Sequence, residues 1–209
     1  MERKVTALKA QKRNPGRVNV YLDGEFAFGL AHIVAAWLQV GQELSEEKIA
    51  ALLAEDEVED AFQKALRFFK SRMRAEAEVQ QYLVKQGIQP GVISNVLERL
   101  RKSGLVDDKR FVQAWVENRS AFHPRSRRAL AYELRRLGVD RDTIDPVLDQ
   151  VEEAELAYQA ARNQQRKLRD LDWPEFREKM LAFLARRGFN YETSAETISR
   201  LWEEQKDNQ

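Results

Sequence analysis

The chain has 209 residues, of which 33% are charged and 43% are hydrophobic, and its formal net charge is +1. The charged fraction is above the usual level of about 25%, which favours thin modules with much exposed surface over one compact domain. A near-neutral charge argues against a general nucleic-acid coating protein, so anion binding has to come from local patches. The absence of cysteine excludes disulfides, thiolate metal sites and cysteine nucleophiles.

The first 30 residues predict a small antiparallel sheet. The pair Asp23-Gly24 lies between strand-like flanks and suits a two-residue type I′ hairpin turn. Such a turn would place Tyr21 opposite Phe26, and Asn19 opposite Phe28. The hairpin is therefore expected to carry apolar groups on both of its faces.

A second turn signal comes earlier, at Asn14-Pro15-Gly16, and predicts an additional first strand in "KVTALKAQ". After the hairpin, "AHIVAAWLQV" predicts a helix over residues 31–40 that stops at Gly41. The apolar run "LAHIVAAWLQV" is about 11 residues long, whereas a membrane span needs about 20. The start of the chain also lacks an apolar signal-peptide core, so a soluble, cytoplasmic protein is expected.

Residues 41–60 form an acidic segment with eight acids against one base. We interpret this shift in charge as a candidate domain boundary. Within it, Ser45 is a candidate helix N-cap, because two glutamates follow it directly and would suit the positive end of a helix dipole.

A repeat begins at residue 61. Three segments share a leucine, three further residues, a glycine and an apolar residue, with glycines at Gly87, Gly138 and Gly188 that are 51 and 50 residues apart. Apolar positions around each glycine have helical spacing, and the glycine stands where a C-terminal cap is expected. Each unit thus predicts a helix, a glycine turn and another helix.

A further helix is predicted before each pair, at 61–72, 109–119 and 155–169, and starts of the middle helices are predicted at Ser126 and Asp172. The expected fold is mainly α: three tandem three-helix repeats in an elongated, solenoid-like array, preceded by the small antiparallel sheet. The predicted divisions are 1–60 for the N-terminal region with its hairpin and two helices, then 61–108, 109–155 and 156–209 for the three repeats.

The sequence offers little for catalysis. It has no phosphate-binding glycine loop and no GxSxG motif, and neither histidine, His32 or His123, lies within four residues of another strong metal ligand. The pair Asp107-Asp108 is read as a helix N-cap in preference to a metal site. We therefore expect a protein that is not an enzyme and has no catalytic residues, cofactor or metal.

The four tryptophans fall roughly one to a segment. Trp37, Trp115, Trp173 and Trp202 are predicted to fill the core, one large side chain for each thin module, in preference to stacking on bases.

Charge is unevenly distributed in the second repeat. Residues 109–139 have a balance of +6 and residues 140–155 a balance of −6. On the helix expected from Ser126, Arg128 and Arg135 are seven residues apart and point away from the leucine stripe. The arginines are either paired to nearby acids as internal glue, or form a surface for an acidic protein groove or nucleic-acid phosphates. The candidate partner-binding residues are Arg119, Arg125, Arg127, Arg128, Arg135, Arg136, Arg186 and Arg187.

Nearly the whole chain resembles the RecX family, the bacterial regulators of the RecA recombinase. The resemblance lies in "VNVYLDGEFAFGL", "ALRFFKSRMRAEAEVQQYLVKQG" and "LAYELRRLGV", and most specifically in "GLVDDKRFVQAW" and "LARRGF". Two positions depart from the family's pattern: Ala75 stands where serine is frequent, and Val112 where alanine is frequent. Both changes concern capping or packing.

The resemblance implies that the array of three repeats is curved. It also implies a modulator of RecA, mainly an inhibitor, that binds the RecA–DNA filament and suppresses ATP hydrolysis and strand exchange. It places the chain in homologous recombination, DNA repair and the SOS response, and a monomer is expected. Single- or double-stranded DNA remains a second candidate partner, with each helix–glycine turn–helix acting like a helix-turn-helix reader. The hairpin is left with two roles: covering the first repeat or touching RecA.

Overall fold

The computed structural model describes residues 2–207 and confirms a mainly α-helical chain that begins with an antiparallel sheet. In chain order, the strands and helices are β1 (Arg3–Gln11), β2 (Asn14–Leu22), β3 (Glu25–Ala31), α1 (His32–Ala35), β4 (Glu43–Leu44), α2 (Glu46–Phe69), α3 (Glu76–Lys85), α4 (Pro90–Lys102), α5 (Asp108–Phe122), α6 (Arg127–Arg136), α7 (Arg141–Leu148), α8 (Glu153–Gln165), α9 (Trp173–Arg186) and α10 (Tyr191–Asp207).

The hairpin turn is as predicted. Asp23 and Gly24 both have positive φ, 52° and 91°, as a type I′ turn requires. Tyr21 pairs with Phe26, but the expected pairing of Asn19 with Phe28 is wrong, because Asn19 lies opposite Gly29. A bulge next to Tyr21 gives β3 one extra residue, and this shifts the register of the rest of the ladder.

The other turn lies earlier than predicted. It is formed by Lys12 and Arg13, and the predicted turn residues Asn14-Pro15-Gly16 belong to β2. Gln11 pairs with Asn14, and regular pairing resumes only at Val18, opposite Ala10. Pro15 thus sits in an irregular part of the ladder, where its missing N–H costs no strand hydrogen bond.

A fourth strand completes the sheet. Strand β4 pairs antiparallel with the start of β1, and the strand order is β3-β2-β1-β4. No local pattern predicted it, since β4 has only two residues and lies within the acidic segment.

The predicted helix over 31–40 is present only in its first half. Helix α1 ends at Ala35, because the following chain turns back to the sheet. The Gly41 N–H donates to the Val5 carbonyl at 2.7 Å, and the Val5 N–H donates to the Gln42 carbonyl at 2.8 Å. Hydrogen bonding to β1 thus replaces the helix that the apolar run suggested.

The acidic segment at 41–60 does not interrupt the chain, since α2 runs unbroken through residue 60. Ser45 caps this helix as predicted, accepting a hydrogen bond from the Lys48 N–H. Two of the acids, Asp56 and Glu59, are buried. They are therefore part of the packing of α2 rather than a solvated linker.

The chain folds into two compact units. The first contains the chain up to Arg74 together with Val79–Val106; the second contains Ala75–Glu78 and the chain from Asp107 onward. In the first unit, one apolar cluster joins the sheet to α2 and a second joins α2, α3 and α4. In the second unit one cluster runs through α5 to α10.

The three repeat glycines end their helices in the same way. Gly87, Gly138 and Gly188 have φ of 75°, 88° and 91°. After each, the next N–H reaches back to the carbonyl five residues earlier, from Ile88 to Leu83, Val139 to Leu134 and Phe189 to Leu184. This is the Schellman arrangement, which the shared sequence pattern predicted.

Two of these glycines also make close contacts. A Cβ added at Gly138 would lie 2.3 Å from the Ala77 Cβ, at the start of α3. A Cβ at Gly188 would lie 2.6 Å from the Ser126 Oγ, at the start of α6. In the second unit, therefore, the glycine turn of one repeat rests on the N-terminal end of the preceding repeat's middle helix.

Candidate basic interface

Helix α6 carries the centre of the predicted arginine surface. It begins at Ser126, whose hydroxyl accepts a hydrogen bond from the Ala129 N–H at 3.1 Å. Leu130 and Leu134 are fully buried, whereas Arg128 and Arg135 are exposed. The two arginines therefore lie away from the leucine face, as the helical spacing predicted.

The acidic stretch after α6 pairs with part of this surface. Arg127 Nε lies 2.9 Å from a carboxylate oxygen of Glu153. Within residues 2–207, neither Arg128 nor Arg135 forms an ion pair closer than 4.0 Å, and both line a groove of about 470 Å³ with Asp145. Each of the two interpretations therefore holds for different residues. Arg127 is paired internally, whereas Arg128 and Arg135 are free to contact a partner.

Glu133 connects two of the other candidates. One of its oxygens lies 2.9 Å from Arg119 Nε and the other 2.9 Å from Arg125 Nη1. The Trp115 indole N–H donates to the same carboxylate at 3.1 Å. These two arginines are therefore held in place from within the second unit, an arrangement that no sequence pattern predicted.

The remaining candidates come from two parts of the chain. Arg136 lies 6.0 Å from the Tyr132 ring, within the range of a weak cation–π contact. Arg186 and Arg187 end α9, and Arg187 donates to the Pro124 carbonyl at 3.3 Å. The structure thus brings the arginines of the third repeat next to the α5–α6 connection, although they are over 60 residues apart in sequence.

Burial and a like charge act on Arg187. Its partial burial, together with the positive charge of Arg125 nearby, lowers the pKa of the guanidinium below its ordinary value. Both arginines line one cavity of about 590 Å³, together with Arg119 and Arg186. His123 and Gln164 also line it, and no local pattern signalled either residue because only folding brings them together.

Three of the four tryptophans pack as predicted. Trp115, Trp173 and Trp202 pack against the core of the second unit, and the last two have ring centroids 5.2 Å apart. Trp37 does not fill a core: 87% of it is exposed. It lies on the short segment after α1 that turns back toward β1. The early end of α1 at Ala35 therefore also explains the exposure of Trp37.

The pair Asp107-Asp108 caps a helix, as predicted. The Asp107 carboxylate accepts a hydrogen bond from the Arg110 N–H at 3.0 Å, and that of Asp108 accepts one from the Glu76 N–H at 2.8 Å. Among the described residues, no three histidine, aspartate or glutamate side chains are placed to hold a metal ion. In the same residues, no helix is both long and apolar enough to cross a membrane.

Models of one protein family match four successive parts of the chain. The regulatory protein RecX N-terminal domain matches residues 3–45, and the first, second and third three-helix domains of RecX match residues 61–100, 107–148 and 151–198. These matches do not test the predicted division at residue 60. Helix α2 passes through that residue without a break.

Relatives and solved structures agree with these models. A regulatory protein RecX of Bacillus licheniformis is 31% identical over 193 residues, covering 90% of this chain and 73% of its own length. That of Clostridium perfringens is 26% identical and covers 95% and 96%. A crystal structure of regulatory protein RecX, 28% identical, superposes with a TM-score of 0.75 over 95% of this chain and 99% of the other. The chain belongs to the RecX family of regulatory proteins.

Proposed function

We propose that this protein binds the RecA–DNA filament and restrains RecA, suppressing ATP hydrolysis and strand exchange, and that it catalyses no reaction itself. Membership of a regulatory family over nearly the whole chain carries the proposal. The proposed setting is the bacterial cytoplasm, with the protein acting as a monomer on the filament.

The available arginines of α6 are the proposed contact surface. Arg128 and Arg135 are exposed, and no carboxylate among the described residues neutralises them within ion-pair distance. A filament that contains DNA presents negative charge, so these guanidinium groups would raise the association rate and add attraction at the rim of the contact. Arg127 contributes less, because Glu153 already neutralises it.

Direct reading of DNA by the repeats fits the structure less well. In a helix-turn-helix protein the helix after the turn enters the major groove, where acidic side chains on its face would be repelled by the phosphates. Helix α7 exposes Asp142 and Asp145, and α10 exposes Glu192 and Glu196. These two helices therefore present acidic side chains at positions where a DNA-binding helix needs basic or neutral ones.

A variant experiment tests the surface. Arg128→Ala combined with Arg135→Ala is expected to leave the melting temperature unchanged and to weaken inhibition of the RecA ATPase on single-stranded DNA several-fold. The expectation follows because exposed ion pairs contribute about 0.2–1 kcal/mol each. The measurement is ATPase rate against protein concentration at several salt concentrations, together with filament length by electron microscopy.

The matched control is Lys179→Ala combined with Lys206→Ala, which removes the same charge from exposed positions of the same unit. This variant is expected to inhibit like the parent protein. Equal loss in both doubles would mean that net charge rather than this surface matters. Undiminished inhibition by the arginine double at every salt concentration would reject the surface, and no effect of the parent protein on RecA would reject the proposed function.

A further inference from the structure

The strongest unexplained feature is the basic cavity of the second unit, which lies where the α5–α6 connection meets the end of α9. Its volume is about 590 Å³, within the range of sites that bind small molecules. Four arginines dominate its lining, with one aromatic ring and one imidazole beside them: Arg119, Arg125, Arg186, Arg187, Phe183 and His123.

Positive charge in this cavity exceeds the negative charge that neutralises it. Arg119 and Arg125 share the single carboxylate of Glu133. Within residues 2–207, Arg186 and Arg187 have no acidic partner within ion-pair distance. The four guanidinium groups therefore have one carboxylate among them, and the cavity carries an excess of positive charge.

The guanidinium groups of Arg125 and Arg187 are also held in place without a ligand. Arg187 donates to the Pro124 carbonyl at 3.3 Å, and its own carbonyl accepts from the Ser126 N–H at 3.1 Å. The Glu133 carboxylate fixes Arg125, yet the Nε of Arg125 is buried and has no hydrogen-bond partner within the part of the chain described. One donor is thus buried and unused, which costs free energy unless something accepts from it.

Arginines near the ends of helices have a simpler explanation, because they complement the negative end of the helix dipole. That explanation suits Arg119 and Arg186, which lie in the last turns of α5 and α9. It does not suit Arg125, which lies in the connection and approaches Arg187 closely enough for the two like charges to interact. Two partly buried guanidinium groups that line the same cavity favour an anion that would offset their like charge.

We propose that this cavity is a binding site for a phosphate group. Planar guanidinium groups bind phosphate oxygens through paired N–H donors, and several around one cavity match its charge and geometry. The volume exceeds what one phosphate fills, and Phe183 and Gln164 offer an apolar face and an amide to the rest of the ligand. The phosphate comes from a free nucleotide or from the backbone of single-stranded nucleic acid. The site goes beyond the proposed function and does not depend on RecA.

The test uses the whole protein without RecA. Two probes, pyrophosphate and a short oligothymidylate, are titrated at fixed ionic strength, and binding is followed by calorimetry and by the melting temperature. The parent protein is expected to bind at least one probe, with a melting temperature that rises by a few degrees once the probe is well above its Kd. Arg186→Ala is the main variant, because this side chain is exposed and we expect its loss to leave the melting temperature without a probe unchanged.

Arg186→Ala is expected to weaken binding about tenfold or more, since a charge-assisted contact to phosphate is lost. Lys179→Ala is the control: it removes one charge from the same helix, outside the cavity. Loss with Arg186→Ala for pyrophosphate alone would assign a free phosphate ligand, and loss for the oligothymidylate alone a nucleic-acid backbone. Equal binding by both variants, or no binding of either probe by the parent protein, would overturn the site.

Discussion

In the first unit, two arginines contact buried carboxylates. Arg17 contacts Asp56 at 2.6 Å and also Asp60 at 2.6 Å, and Arg99 contacts Glu59 while lying over the Phe62 ring. In the second unit, the arginines of α6 and α9 outnumber the acids that reach them. Arginine therefore stabilises packing in the first unit, whereas in the second unit some arginines keep a positive charge that no carboxylate of residues 2–207 neutralises.

Burial of the acid explains the difference. Asp56 is only 8% exposed, and it accepts from both Arg17 and the Ala31 N–H, so that strand β3 is attached to α2. Although burial opposes the charged form, the two nearby carboxylates raise the pKa of Arg17 above its ordinary value. A charged group so enclosed has a structural role, whereas one that faces solvent or a cavity remains free to bind.

The largest expected effect is the loss of this buried acid. Asp56→Ala should lower the free energy of unfolding by about 3 kcal/mol or more, because the Ala31 N–H loses its acceptor and the partly buried guanidinium of Arg17 loses its buried carboxylate and keeps only the exposed one of Asp60. Urea unfolding measures the loss, and hydrogen exchange of the β2 and β3 amides locates it in the first unit.

Asp60→Ala is the matched control, since Asp60 contacts the same arginine but its side chain is 54% exposed. Its expected cost is at most about 1 kcal/mol. Similar losses for the two variants would mean that burial does not separate structural from available charges.

A second effect compares glycine turns in the two units. Gly87 and Gly138 both have positive φ, so replacing either with alanine should cost about 1 kcal/mol. A Cβ at Gly87 meets nothing within 4 Å, whereas one at Gly138 meets the Ala77 Cβ at 2.3 Å. Gly138→Ala should therefore cost about 1–3 kcal/mol more than Gly87→Ala, as overpacking does. Urea unfolding of the two variants measures the difference.

A double-mutant cycle separates the two causes. Adding Ala77→Gly to Gly138→Ala should recover the extra cost and leave the part due to φ, after correction for Ala77→Gly alone. If Gly87→Ala and Gly138→Ala lower the free energy of unfolding by the same amount, the close contact between Gly138 and Ala77 adds no measurable cost.

The smallest expected effect concerns pH. Burial raises the pKa of Asp108 above its ordinary value, with Glu76 and Asp140 adding like charge. Its folded state then binds the proton more tightly than the unfolded state does. This group's contribution to stability is therefore largest below its unfolded pKa and is lost as pH rises through the folded pKa.

Asp108→Asn keeps an acceptor for the Glu76 N–H and removes the titration. The difference in free energy of unfolding between this variant and the parent protein, measured in urea from below the ordinary aspartate pKa up to neutral pH, should shift in favour of the variant as pH rises. A shift in favour of the parent protein would contradict the assigned direction.

Local signals in the sequence were enough to predict the repeats. Each glycine, with its leucine four residues earlier, encodes a helix end through backbone conformation alone, and the caps at Ser45, Ser126 and Asp172 are equally local. The prediction of a helix over the whole of 31–40 failed because contacts distant in sequence, not local ones, decide the structure there. The apolar pattern of this segment suited a helix, but the chain after Ala35 turns back so that the Gly41 N–H donates to the carbonyl of Val5, 36 residues earlier.

The candidate site was predictable in its residues but not in its arrangement. The excess of arginine in 109–139 is visible in the sequence, and so is the spacing of Arg128 and Arg135. Nothing local indicates that Glu133 neutralises Arg119 and Arg125, or that α9 brings Arg187 beside them. These contacts depend on how successive repeats stack, which periodicity alone does not specify.

The seating of Gly188 on the start of α6 also has a consequence for synthesis. Ser126 is fully buried, and its N–H donates to a carbonyl in the glycine turn of the next repeat. Residue 188 follows residue 126 by 62 positions, so the start of α6 waits for that much more chain before it is covered. At roughly 5–20 residues per second, the interval is about 3–12 s. The second repeat is therefore complete only after the glycine turn of the third repeat has been made.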